Sequence, residues 1–124
     1  MTRKSKYRDI SEIIERHLEP RLKSECRKLG IPESFVAGIY GVYAEPFGHS
    51  SQCEPVIQEG QTVAVRIRID SEIRAPSRAV MHFWHELRHA KDCYEKRPSS
   101  EWKAHLYVLK RCLSEAFARV IRQP

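Results

Sequence analysis

His85, Glu86 and His89 stand as His-Glu-x-x-His inside the stretch Met81–Lys91. On a helix, residues four apart share a face, so both imidazoles reach one ion. Glu86, one position past the first histidine, sits beside that ion without having to ligate it. From there it takes a proton from zinc-activated water, whose pKa zinc lowers to roughly 7. Ala79, Val80, Met81, Phe83, Trp84, Leu87 and Ala90 form an apolar sleeve around the motif, as expected of a buried helix carrying a polar site.

A catalytic zinc usually has three protein ligands and an open position. The third is expected from the helix that folds back on the motif helix, whose near end offers Glu101 and His105, four apart on one face. A symmetric hairpin turning near Arg97 brings His105 level with His89, whereas an early-breaking, extended loop brings Glu101 there. Spacing leaves both open. Beyond the metal, a developing oxyanion needs a hydrogen-bond donor. Tyr94, Tyr107 and His105 are on suitable helices, His105 being the first choice where it is not a ligand. Asp92, three after His89, either steadies the site or pairs with Arg88 or Lys96. His82 reads as packed or hydrogen-bonded, and His49 falls in a turn.

The elements that must position these residues follow from periodicity. Ile10, Ile13, Ile14, Leu18, Leu22, Cys26 and Leu29 mark a helical region over residues 9–29, capped by Asp9 or Ser11 and closed by Gly30. Pro20 predicts a kink near Glu19. Phe35–Ala44 reads as a strand with possible bulges at Gly38 and Gly41, Pro46–Ser51 as a turn, Glu54–Gln58 as a short strand and Glu59-Gly60 as a turn. Thr62–Asp70 alternates, with Val63, Val65, Ile67 and Ile69 on one face and Ala64, Arg66 and Arg68 on the other. Its basic outer face suggests an edge strand. Ser77 is the expected N-cap of a motif helix over residues 78–94. After the loop Lys96–Ser100, a last helix runs to Arg122, with Trp102, Leu106, Leu109, Leu113, Ala116, Phe117 and Val120 as its core-facing stripe. The expected fold is α+β: an N-terminal helix, a small three-stranded sheet, the motif helix and a C-terminal helix, in one domain over residues 1–124.

Glu101-Trp-Lys-Ala104-His-Leu-Tyr107 resembles the Glu-x-x-Ala-x-x-aromatic pattern on the glutamate helix of gluzincin metallopeptidases. Together with His85–Ala90, the likeness covers the C-terminal third of the chain. The order of elements is similar to that of the single-domain minigluzincins, and so implies a zincin-like fold. The resemblance implies zinc ligation by His85, His89 and Glu101, with Glu86 as general base and acid. It also implies a peptide substrate laid along the edge strand, here Thr62–Asp70. The chain departs from the usual pattern in carrying Arg88 and Lys91 around the second histidine, and His105 where an acidic residue often orients the first.

Bulk properties set the outer limits. A chain of 124 residues, 41% hydrophobic and 31% charged, fits one soluble globular domain. The start, Met-Thr-Arg-Lys-Ser-Lys, lacks the apolar core of a signal peptide, and no apolar run is long enough to span a membrane. Cys26, Cys53, Cys93 and Cys112 are widely spaced without a Cys-x-x-Cys pair, which argues against a zinc ribbon and for a reducing, cytoplasmic setting. No Gly-rich phosphate loop or nucleophile elbow is present. The net charge of +6 invites nucleic-acid contact, but only Arg3–Arg8 is a basic cluster, so nucleic acid is the weaker partner call. The expected activity is that of a small zinc-dependent endopeptidase. The alternative is a zincin-like metal-binding regulatory module with weak or latent activity, in possible contact with DNA.

Overall fold

Pro20 decides how the chain begins. Its missing amide and its ring disrupt the i to i−4 ladder. The helical region therefore runs as α1 (Ile10–Ile13), a π-helical turn (Ile14–Leu18), a 3-10 turn (Glu19–Arg21) and α2 (Leu22–Leu29). The structure, a computed structural model, describes residues 9–42 and 51–122. The turn expected at Pro46–Ser51, with His49, and the basic cluster Arg3–Arg8 lie outside those residues, apart from Ser51. Despite the break, the apolar stripe stays on one face: Ile10, Ile13, Ile14, Leu18, Cys26 and Leu29 are all buried. Gly30, at φ 74°, closes α2 in the left-handed conformation, and the Ile31 amide bonds back to the Cys26 carbonyl.

Three strands follow: β1 (Val36–Val42), β2 (Gln52–Gln58) and β3 (Gln61–Asp70). Glu59 and Gly60 both have positive φ, as the two-residue turn joining β2 to β3 requires. The register slips between Val36 and Gly38, a bulge where glycine was expected to allow one. Gly41 has a different role, since a Cβ there would stand 2.8 Å from Ile10 Cγ2.

The sheet order is β1-β3-β2, with β3 parallel to β1 and antiparallel to β2. Thr62–Asp70 is therefore the central strand, which corrects its reading as an edge. Arg66 and Arg68 do not guard an open edge; both bond Glu54 on β2, at 3.2 Å and 2.9 Å. The alternation itself holds, for Val65, Ile67 and Ile69 are fully buried, although Val63 is exposed.

Helix α3 (Pro76–Tyr94) packs against β3 and β2. It starts at Pro76, with Ala75 as N-cap and no side-chain cap bond. Ser77 is not the cap, because a proline at the first turn, preset in φ and needing no amide partner, begins the helix two residues earlier. Helix α4 (Glu101–Arg122) returns along α3. Ser100 Oγ accepts the Lys103 amide and caps it.

The face that α4 buries is not the expected one. Trp102, Leu106, Leu109, Leu113, Ala116, Phe117 and Val120 are exposed, while Ala104 and Arg111 are buried. Arg111 makes a two-pronged ion pair with buried Glu25 on α2, at 2.8 Å and 3.3 Å, and lies 4.9 Å from the centre of the Trp84 ring. Trp84 donates to the same carboxylate at 3.0 Å. That cross-link, plus the close approach allowed by Ala104, orients α4 in place of its large apolar side chains. The architecture is α+β, with helices stacked on one face of a three-stranded sheet. No described helix is long and apolar enough to cross a membrane.

Candidate metal centre

The connection between α3 and α4 determines what faces the histidines. Helix α3 stops at Tyr94, and Lys96 takes a positive φ of 57°. The Arg97 amide then bonds back to the Asp92 carbonyl at 2.8 Å, and the Ser100 amide reaches Asp92 Oδ2 at 3.3 Å. Helix α3 thus breaks early, and the start of α4 lies against the middle of α3. Glu101 is brought to both histidines, and the centre of the His105 ring comes within 4.8 Å of that of His85.

The geometry is tight. Glu101 Oε1 lies 2.8 Å from His89 Nε2, and Oε2 lies 3.1 Å from His85 Nε2. The two Nε2 atoms are 3.2 Å apart. Ligand atoms about 2.0–2.1 Å from a tetrahedral ion stand roughly 3.3 Å from one another. The two short contacts run to different carboxylate oxygens, so the three residues converge as a cluster from which an ion would be reached by one oxygen turning between the two Nε2 atoms. His105 Nε2 lies farther out, 3.7 Å from Glu101 Oε2, on a largely exposed side chain. Among the described residues the group with ligand atoms all within 4.8 Å of one another is His85, Glu101 and His105, which makes His105 an alternative third donor to His89.

The surroundings suit ligation. Burial, with the neighbouring His89, lowers the pKa of His85 against the pull of Glu101, which favours the neutral imidazole that binds metals. Ser99 Oγ lies 2.7 Å from His89 Nδ1. Glu86 is buried beside the histidines. Burial first, then the Glu101 charge, pushes its pKa up to about 8, while the backbone amide of Cys53 bonds the carboxylate and pulls it down. Cys53 and Cys93 border the same cleft, but burial raises both thiols, Cys53 to about 12, and keeps them protonated.

The other expected participants sort out by contact. His82 Nδ1 is 2.8 Å from Ser51 Oγ, which also accepts the Asp70 amide, so His82 ties the start of β2 to α3 and stays off the ion site. Asp92 pairs with Arg88 at 2.8 Å, and the paired Arg88 is turned to that carboxylate. Lys91 bonds the Leu29 carbonyl and Glu95. Both cations that depart from the gluzincin pattern thus have partners of their own. The Tyr94 ring packs edge-on against Phe35, and the Tyr107 hydroxyl is buried, so neither tyrosine is a ready donor to the site. Ser99 and the Cys53 amide were not legible beforehand. Pro98-Ser-Ser signals a loop and a cap, but nothing in it indicates which serine meets a histidine.

The site opens into a cleft of about 900 Å³ between β2 and the two long helices, bordered by Gln52, Cys53, Pro55, Met81, Leu109 and Cys112. No protein-family model matches the chain, and no curated protein or solved structure is significantly similar to it.

Proposed function

We propose that this chain is a small zinc-dependent endopeptidase of zincin-like, gluzincin-type architecture. The observation that carries the reading is the convergence of the Glu101 carboxylate on both His85 and His89, with Glu86 buried alongside. Zinc held by His85, His89 and Glu101 would supply Lewis acidity toward the scissile carbonyl and the attacking water. Glu86, its pKa raised to about 8 without an ion and its ionised form favoured by a cation beside it, takes the proton from that water and returns it to the leaving amine nitrogen. His105, at the mouth of the site, donates a hydrogen bond to the developing oxyanion. With β3 central, the sheet edge beside the cleft is β2, and an extended peptide lies along Gln52–Gln58.

Metal analysis of the chain purified without chelator tests the centre. About one zinc per chain is expected in the wild type, lost in His89→Ala and Glu101→Ala and retained in His105→Ala. Loss with His105→Ala and retention with Glu101→Ala would replace the glutamate site by an all-histidine one. Glu86→Gln is expected to keep the zinc and to lower peptide cleavage by about 100-fold or more. Zinc binding without any Glu86-dependent cleavage would favour a metal-binding regulatory module.

A further inference from the structure

Helix α4 is apolar on the side that faces away from the domain. Trp102, Leu106, Leu109, Leu113, Phe117 and Val120 are 49–72% exposed. Monomeric proteins seldom leave an apolar patch of more than a few hundred Å² in the open, and one of that size marks a contact surface. At 3.6 residues per turn these six, with Ala116, fall within an arc of about 100°, opposite the buried Ala104 and Arg111. The stripe is a continuous seam about 27 Å long from Trp102 to Val120.

The spacing identifies the shape of what covers it. Trp102, Leu106, Leu109, Leu113, Ala116 and Val120 succeed one another by four, three, four, three and four residues, the alternation of the d and a positions of a coiled coil. Such a seam receives the knobs of one facing helix. The charges at its margins identify the chemistry. Exposed Lys103 and Lys110 occupy two of the three e positions, with Phe117 at the third, and exposed His105 and Arg119 stand at g on either side of half-buried Cys112. These are the places where the flanking side chains of a partner helix arrive. No acidic residue stands at any of them. A second copy of this chain would bring no acidic side chain to them: antiparallel it sets Lys110 against Lys110, and parallel it sets His105 against Lys110.

We propose that the outer face of α4 is a docking surface for an acidic amphipathic helix of another protein, with apolar residues at its seam and glutamate or aspartate on both flanks. The charges on the two helices pair along the seam, and that pairing sets partner choice. Leu109 and His105 are shared with the cleft, whereas Leu113, Phe117 and Val120 lie beyond it, so substitutions there test this surface apart from the zinc reading.

The test uses the full chain and two labelled three-heptad peptides with leucine at every a and d position, one with glutamate and one with lysine at every e and g position. Fluorescence anisotropy is expected to show the glutamate peptide binding at least about tenfold more tightly than the lysine peptide. Leu113→Asp/Phe117→Asp, on the solvent face, abolishes that binding, and Lys103→Glu/Lys110→Glu reverses the preference between peptides. The second variant keeps the test sharp should the first fail to fold. Equal binding of the two peptides, or no binding of either, overturns the proposal. So does a concentration-dependent dimer in sedimentation, which would make a second copy the occupant. So does flotation with phosphatidylglycerol vesicles in the absence of peptide binding, which would make it a membrane surface.

Discussion

Ser99 contacts His89 on the nitrogen that faces away from the ion site, at 2.7 Å. With Nε2 turned to an ion, Nδ1–H would donate to this hydroxyl, and the contact would hold the ring toward Glu101 and His85. Loss of such an outer-shell partner costs about 10–100-fold in metal affinity. Ser99→Ala is therefore expected to weaken zinc binding by roughly tenfold, and Ser99→Thr, which keeps the hydroxyl, to restore it. Competition with a chromophoric chelator measures both, and an unchanged affinity in Ser99→Ala would leave the bond without a ligand-orienting role. At this scale the sequence was informative where chemistry follows from spacing along one helix. His85, Glu86 and His89 share α3, so their juxtaposition is set by helical geometry. Glu101 against His105 was undecidable, because the choice depends on where α3 breaks. Ser99 carried no signal, because its partner is ten residues away across a turn.

The α3–α4 hairpin turns on Asp92, which is buried and has three bonds to make. Its carboxylate pairs with Arg88 at 2.8 Å and accepts the Ser100 amide, and its carbonyl accepts the Arg97 amide. Those bonds cause the early break that delivers Glu101. Asp92→Ala leaves the Arg88 guanidinium, only 13% exposed, without its counter-ion. Breaking one partner of a buried pair costs about 3–5 kcal/mol, whereas replacing both by apolar residues is often close to neutral. Urea unfolding is expected to show Asp92→Ala destabilised by about 3 kcal/mol, and Arg88→Leu/Asp92→Leu recovering most of that loss. A double variant no more stable than the single one would show that the Ser100 amide bond outweighs the ion pair. Element boundaries were largely legible, from the Pro20 break to the Glu59-Gly60 turn. Strand order was not. A hairpin that inserts β3 between β2 and β1 has the same local pattern as one that leaves β3 outside, and the arginines that suggested an edge are explained by Glu54 alone.

For the whole molecule, the decisive contact joins residues 86 positions apart. Hydrophobic periodicity directs the Trp102–Val120 stripe inward, yet α4 docks through Arg111 onto Glu25, with Trp84 bonded to the same carboxylate. A charged residue at the centre of a buried helix face has no sequence signature unless its partner is known. Next to Glu25 in the chain is Cys26, 1% exposed in the core. Burial, reinforced by the charges of Glu33 and Glu25, pushes its pKa up from 9.0 to about 11. Between those values the unfolded chain releases the thiol proton while the folded chain keeps it, so rising pH favours unfolding. The effect is absent below pH 9, grows through the interval at roughly 1 kcal/mol per pH unit and levels off above about pH 11. Cys53 and Tyr107, both pushed up to about 12, act in the same direction, so the comparison must be internal. Denaturant midpoints from pH 8 to 10.5 are expected to fall more steeply in the wild type than in Cys26→Ala, whose stability is lower at pH 8 but less dependent on pH. Parallel slopes for the two proteins would mean that the thiol reaches solvent in the folded chain, and that the core beneath the Glu25–Arg111 cross-link opens readily enough to admit water.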